Sequence, residues 1–176
     1  MNDEDASGDD RPARDEEGAG SRELTHTDAE GDVRMVDVGG KDATNRRAVA
    51  RGELHLAPET VEAVRANEVG KGDVLAVARV GAVQAVKHAW EAIPMCHQIP
   101  VTDVDTTFEL GDDRVELTVA VETTARTGPE MEALEGVTTG LNVVWDMVKS
   151  AEKDEDGQYP GTAIRDVRVV AKETGR

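Results

Sequence analysis

The chain has 176 residues, 38% of them hydrophobic and only 2% aromatic, with a net charge of −17 and a single cysteine. This length allows one domain with a core of Val, Ala, Leu and Ile, and a single cysteine excludes an intramolecular disulfide. The charge argues against nucleic-acid binding, because phosphate backbones attract Lys and Arg, and no apolar run approaches the ~20 residues of a membrane span. A cytoplasmic location with no nucleic-acid or membrane partner is therefore expected.

The first 23 residues, MNDEDASGDDRPARDEEGAGSRE, are predicted to form a disordered acidic tail. They carry almost no apolar side chains and cannot offset the entropy lost on ordering. The composition changes at Leu24, so residues 24–176 are predicted to be a single domain. That part is itself acidic and poor in lysine, which suits a protein kept soluble in a salt-rich cytoplasm. We interpret the acidity as adaptation to the solvent.

The domain alternates between segments with strand-like and helix-like patterns. A short alternating segment precedes a break at Gly39-Gly40. Alternation with period two then predicts strands over residues 48–56, 101–110, 114–126 and 163–172. Helical spacing predicts helices over residues 58–68, 80–93 and 128–154, and residues 73–80 fit either a strand or the start of a helix.

Two of these helices show apolar stripes that we expect to face the core. The stripes consist of Val80, Val83, Val86, Trp90 and Ile93 in one helix and Leu134, Val137, Leu141, Val144 and Val148 in the other. A helix, two antiparallel strands, a helix and a strand, preceded by a β element, predict an α+β fold of the ferredoxin-like kind, with helices on one face of the sheet. The other face is left open, which predicts an oligomer that covers exposed apolar surface.

Cys96 and His97 lie between two prolines in the stretch IPMCHQIP. A zinc site needs three or four ligands, and the other histidines are isolated from this pair, so no metal site is expected. A Cys–His nucleophilic dyad requires facing side chains, whereas adjacent residues on an extended chain point to opposite sides. A buried cysteine and a half-exposed histidine after a helix are the remaining alternative.

Six positions keep lysine in a chain that otherwise uses arginine. Only lysine can lose its proton near neutral pH when its surroundings are desolvated. Lys71 lies between glycines, and Lys149 follows Asp146 at a spacing of three residues, where side chains on one helix face are neighbours. An ordinary exposed ion pair explains the Asp146–Lys149 spacing equally well.

Glu130 and Glu132 begin a predicted helix, where the helix dipole stabilises acidic side chains. Residues two apart point in different directions, so both carboxylates cannot face one small ligand. Glu132 and Asp146 are 14 positions apart, which corresponds to about 21 Å along a helix axis. If both residues act, the site is expected where two chains meet.

Four ordered blocks carry a resemblance to a known family. They read LTHTDAEGDVRMVDVGGKDATNRRAVARG, KGDVLAVARVGAVQAVKHAWEAIPMCHQI, TGPEMEALEGV and WDMVK. Together, from Leu24 to Lys172, they resemble the cyclic pyranopterin monophosphate synthase family of molybdenum cofactor biosynthesis, here with the composition of a salt-adapted organism. The resemblance implies a ferredoxin-like lyase that forms a hexamer, a trimer of dimers, with its active site at the dimer interface.

The resemblance also implies a reaction and a set of site residues. The substrate would be 3′,8-cyclo-7,8-dihydro-GTP, converted into cyclic pyranopterin monophosphate with release of pyrophosphate; no cofactor is expected, although Mg²⁺ can accompany a triphosphate. Asp146, Lys71 and Lys149 match catalytic positions by this resemblance. The matching substrate-binding positions are Met95, Cys96, His97, Met131, Glu132, Arg46, Glu130 and Lys172.

Three departures from the family pattern bear on this assignment. The chain has PMCHQI where the family often has P-L-C-H-P-L, and it ends in AKETGR without the second lysine of the usual tail. The loop EKDEDGQYPGTAI also differs and is expected to face solvent. The alternative function is a ferredoxin-like module that senses a nucleotide without catalysis, which would tolerate arginine at positions 71 and 149.

Overall fold

Seven helices and strands make up the described part of the chain. The computed structural model describes residues 33–175, so the predicted tail, residues 1–23, and the predicted domain start at Leu24 lie outside the described residues. In chain order the elements are β1 Thr44–His55, α1 Pro58–Arg65, α2 Val74–Ala92, β2 Val101–Leu110, β3 Arg114–Ala125, α3 Glu130–Val148 and β4 Ala163–Thr174. Within residues 33–175, no helix is long and apolar enough to cross a bilayer.

The four strands form one antiparallel sheet in the order β2-β3-β1-β4. The two central strands pair from Thr44↔Ala125 to His55↔Arg114, and the alternating positions Ala48, Ala50 and Leu54 of β1 are fully buried. The helices cover this buried face, which confirms the predicted ferredoxin-like α+β fold.

Glycines allow α3 to lie close to its neighbours. A Cβ atom at Gly136 of α3 would lie 2.7 Å from Val86 of α2, and one at Gly52 of β1 would lie 2.9 Å from Val137 of α3. Both distances are too short for a side chain without movement. α3 is therefore packed tightly against the sheet on one side and against α2 on another.

The predicted buried face of α2 is only partly correct. Val86 is buried, but Val80 is 67% exposed and Trp90 is 39% exposed, and Ala78, Ala82 and Ala89 take the buried positions instead. Small alanines let α2 approach α3 closely. Asp73 caps the helix by accepting a hydrogen bond from the backbone N–H of Ala76 at 2.9 Å, so residues 74–80 are helical.

The uncovered face of the sheet carries charged side chains, where we expected apolar surface. Arg47 lies 3.4 Å from Glu122, and Arg51 lies 3.4 Å from Glu116 and 3.8 Å from Glu53. The pairs of Arg47 with Glu122 and of Arg51 with Glu116 join β1 to β3, and such cross-strand pairs of opposite charge favour the sheet without a covering partner. Exposed large apolar residues are spread over the region before β1, α2, α3 and the edge strand β4: Val33, Met35, Val77, Val80, Trp90, Met131, Val169 and Val170.

Candidate active site

Lys71, Asp146 and Lys149 form a contiguous cluster at the C-terminal end of α3. Asp146 lies in the last turn of the helix, Lys149 caps that end, and Lys71 lies in the turn before α2. The Nζ atom of Lys149 donates to Oδ1 of Asp146 at 2.6 Å. The Nζ atom of Lys71 donates to the backbone carbonyl of Asp146 at 2.6 Å and to Oδ2 at 3.3 Å. The Asp146–Lys149 pair that the spacing predicts is thus joined by Lys71, which lies 75 residues from Asp146 in the sequence.

The three side chains are exposed, and their contacts favour the charged forms of Asp146 and Lys149. The hydrogen bonds from Lys149 and then from Lys71 lower the pKa of Asp146 below its usual value. The hydrogen bond to Asp146 raises the pKa of Lys149, which therefore stays protonated. Two ammonium groups around one carboxylate leave a net positive charge, which favours the binding of an anionic ligand. Lys149 stays protonated, so it is poorly suited to abstract a proton.

A second group of predicted site residues lies at the opposite end of α3. Met95, Cys96 and His97 are half-buried in the segment between α2 and β2. The hydroxyl of Thr123 on β3 donates to the carbonyl of Pro100 at 2.8 Å and so holds the end of this segment against the sheet. The segment is thereby fixed beside the N-terminus of α3.

The hydrogen bonds of the Cys96 thiol go to a carboxylate and to the backbone carbonyl of His97, not to the His97 ring. The thiol donates to Oε1 of Glu132 over 3.4 Å. Glu132 is only 3% exposed, and its Oε2 has no hydrogen-bond partner among the described residues. Burial raises the pKa of Glu132 above its ordinary value. Burial and then the Glu132 charge raise the pKa of the Cys96 thiol to about 12, so this cysteine is not a thiolate nucleophile.

Glu130 and Glu132 have different partners, as their spacing predicts. Glu130 forms an ion pair with Lys172 of β4, so Lys172 reaches this end of the fold despite the altered C-terminus. Arg46 donates from Nε to the carbonyl of Ala125 at 3.0 Å. Met131, between the two glutamates, is 41% exposed.

A cavity of about 310 Å³ opens beside these residues. Its lining includes His97, Ala125 and Arg126. Sequence reasoning missed Arg126, although a basic residue between a strand and a helix start is a visible signal for anion binding. It also missed Thr123, whose supporting role depends on a contact with Pro100 that no local pattern reveals.

The structure brings the predicted site residues together as two separate clusters. α3 is continuous from Glu130 to Val148, so Glu132 and Asp146 are separated along its axis by about 21 Å. Within one chain, Lys71, Asp146 and Lys149 do not meet the cluster around Glu132. Among residues 33–175 there is also no group of three or more His, Cys, Asp or Glu side chains arranged to hold a metal ion.

Comparisons with known proteins agree along nearly all of the described chain. The model of the MoaC family matches residues 35–175. Proteins of Halobacterium salinarum and Natronomonas pharaonis are 73% identical over 150 residues and 70% identical over 151 residues, covering 85% and 86% of this chain and 92% and 94% of theirs. A Thermococcus kodakarensis protein is 53% identical over 154 residues, covering 88% of this chain and 98% of its own. All three are named probable cyclic pyranopterin monophosphate synthase.

Proposed function

The chain belongs to the MoaC family, and on that premise we propose that it catalyses cyclic pyranopterin monophosphate synthesis in molybdenum cofactor biosynthesis. The proposed substrate is 3′,8-cyclo-7,8-dihydro-GTP, and the second product is pyrophosphate. One observation carries the proposal beyond the names of the relatives. It is the contact of Lys71 and Lys149 with the single carboxylate of Asp146.

The charge of this cluster suits the proposed substrate. The whole chain carries a net charge of −17, so a triphosphate is attracted only where basic groups are concentrated. Two protonated lysines around Asp146 supply such a place. As pyrophosphate leaves and a cyclic phosphate closes, negative charge develops on phosphate oxygens, and preformed ammonium groups stabilise it.

The same cluster can also handle protons. Asp146 is in the ionised form that accepts a proton and Lys149 in the protonated form that donates one, but their mutual hydrogen bond makes Asp146 a weaker base and Lys149 a weaker acid while it lasts. Asp146 orients both ammonium groups by accepting from them, so it couples the positions of Lys71 and Lys149. His97 and Arg46, at the other end of α3, would hold the phosphates or the base.

The complete site is proposed to form where two chains meet. A separation of about 21 Å along α3 supports this arrangement, because one nucleotide-sized ligand cannot easily contact both ends of the same helix. A second chain in a dimer would bring the Glu132 end of its α3 to the Asp146 end of the first. Three such dimers would give the hexamer that the family resemblance implies.

Turnover of the cyclised substrate tests the proposed reaction. Purified protein incubated with 3′,8-cyclo-7,8-dihydro-GTP should release pyrophosphate and yield a pterin that fluoresces after oxidation. Lys71→Ala should abolish both signals, whereas Lys87→Ala, which changes an exposed lysine within α2, should leave them unchanged. Binding of the substrate without turnover would instead indicate the nucleotide-sensing alternative.

Mixing two inactive variants tests the shared site. Asp146→Asn removes one end of the proposed site and His97→Ala removes the other. After dissociation and random reassociation, half of the dimers contain both variants, and one of their two sites is intact, so activity should recover to about a quarter of wild type. Verified mixing with no recovery would place the whole site within one chain.

A further inference from the structure

The segment that follows Lys149 is tied to the rest of the fold through Glu152. The two carboxylate oxygens of Glu152 accept from the backbone N–H of Ala57 at 3.1 and 3.2 Å. One of them also accepts from the hydroxyl of Thr162 at 2.7 Å. Glu152 is half-buried and Thr162 is buried. The expectation that this loop faces solvent is therefore wrong at these two residues.

The contact with Ala57 fixes the segment to α1. Ala57 is the N-cap of α1, and its own side chain cannot cap the helix. A carboxylate placed there satisfies an unpaired N–H and interacts favourably with the helix dipole. Glu152 thus acts as a cap contributed from 95 residues away.

A second contact fixes the same segment to α3. The ring of Tyr159 meets the ring of Trp145 edge to face, with centroids 5.8 Å apart and an interplanar angle of 87°. Trp145 directly precedes Asp146 in the last turn of α3. The segment from residue 150 to residue 162 is therefore held to α1 through Glu152 and to the last turn of α3 through Tyr159.

Lys149 needs such support because its own side chain is exposed. Its ammonium group donates a hydrogen bond to Asp146, and 47% of the side chain is accessible to solvent. A lysine side chain loses considerable conformational entropy when it is held in one position. The backbone turn after α3, closed by the N–H of Ala151 donating to Val148 at 2.9 Å, sets where that side chain starts.

We propose that Glu152 is a positioning residue of the proposed active site, which holds the turn after α3 so that the ammonium group of Lys149 stays on Asp146 beside Lys71. The inference rests on the proposed function for its catalytic consequence. Its structural part concerns only the Lys149–Asp146 contact. The two parts are therefore measured separately.

The titration of Asp146 tests the structural part without any turnover. The carboxyl ¹³C signal, assigned by its loss in Asp146→Asn, should titrate at a higher pH in Glu152→Ala than in wild type. The reason is that the Lys149 hydrogen bond is the main cause of the low pKa of Asp146, with Lys71 second. Glu152→Gln keeps an acceptor oxygen and should lie between the two.

Turnover tests the catalytic part. We expect kcat of Glu152→Ala to fall about tenfold, as misplacement of a catalytic group does, and to recover partly in Glu152→Gln. Glu155→Ala changes an exposed acid of the same loop and is the matched control, with unchanged kcat and titration. If the wild-type protein shows no turnover, the proposed function is contradicted. The Asp146 titration would still show whether Glu152 positions Lys149.

A purely structural role of Glu152 predicts a different result. Glu152→Ala would then lower Tm through loss of the cap on α1, and the Asp146 titration would be the same as in wild type. That outcome would overturn the proposal. If Glu152→Ala does not fold, Thr162→Val and Glu152→Gln take its place in the titration. Each weakens the hydrogen bonds of Glu152 and leaves the backbone intact. An Asp146 titration that is the same as in wild type in both variants would equally overturn the proposal.

Discussion

The two ends of α3 carry carboxylates in opposite electrostatic settings. Asp146 is exposed and surrounded by ammonium groups, which lower its pKa. Glu132 is 3% exposed, has one oxygen without a partner among the described residues, and has a raised pKa. One end therefore keeps its charges in water, and the other holds an acid that is costly to ionise. The comparison teaches that a single helix can carry one carboxyl with a lowered pKa and another with a raised pKa within one proposed site.

The largest expected effect comes from removing the charge at the exposed end. Asp146→Asn should lower kcat by about 10²- to 10⁴-fold, because the amide can neither accept a proton nor hold both ammonium groups. Its Tm should match wild type, since exposed ion pairs contribute little to stability. Glu62→Gln breaks another exposed i,i+3 pair, with Arg65, and should leave both kcat and Tm unchanged. A parallel loss of Tm and kcat in Asp146→Asn would make its role structural.

The buried end can be probed by alkylation of Cys96. A thiol pKa of about 12, against an ordinary value of 9.0, lowers the thiolate fraction at pH 8 by about a thousandfold. Iodoacetamide should therefore label the folded protein about a thousand times more slowly than the protein in guanidinium chloride. Mass spectrometry measures both rates. Labelling of the folded protein at the rate of a free cysteine would contradict this description of the buried end.

Thermal unfolding across pH compares the two carboxylates directly. The raised pKa of Glu132 means that the folded protein binds its proton more tightly than the unfolded chain does, so stability is lost as pH rises through the folded-state pKa. Glu132→Gln cannot ionise and should have a higher Tm than wild type at pH 8. The difference should be about 2–4 °C for each kcal/mol gained in the free energy of unfolding. The difference should shrink as pH falls toward the ordinary value of 4.5. A Tm difference that does not vary with pH would show that Glu132 stays in one protonation state.

The smallest effect is expected from removing the thiol. Cys96→Ala should keep kcat within about twofold of wild type, because a thiol with so high a pKa supplies no nucleophile at neutral pH. The measurement is pyrophosphate release under saturating substrate. A loss as large as that of Asp146→Asn would require a chemical role for Cys96.

Strict alternation made the sheet predictable. The strand predicted over residues 101–110 matches β2, and the segment 114–126 matches β3 to within one residue. The predicted stripe of α3 is also correct at Val137, Leu141, Val144 and Val148, which are buried. In these elements one face meets the core and the other meets solvent, so the pattern records burial directly.

The failures come from tertiary packing. Three of the five buried residues of α2 are alanines, which carry a weak hydrophobic signal and allow close approach to α3. The open face of the sheet is stabilised by cross-strand ion pairs, whose partners are set by strand register. An apolar sheet face therefore no longer supports the expected oligomer. Its remaining support is the separation of the two clusters of site residues along α3.

The candidate site was only partly accessible to sequence reasoning. Spacing predicted the Asp146–Lys149 neighbours, and it predicted that Glu130 and Glu132 diverge. The approach of Lys71 to Asp146 depends on how α2 packs against α3, and only the family resemblance pointed to it. Glu152 was missed because its partner, a backbone N–H of Ala57, has no sequence signature.

The unbroken length of α3 has a consequence for the behaviour of the protein in dilute solution. A ligand that touches both ends of this helix must recruit two chains, so it binds the assembly and not the separated subunit. By mass action such a ligand tightens subunit association, and dilution weakens its apparent affinity. Substrate saturation and protein concentration would then be linked variables, and a KM measured at nanomolar protein would differ from one measured at the concentrations of the cell.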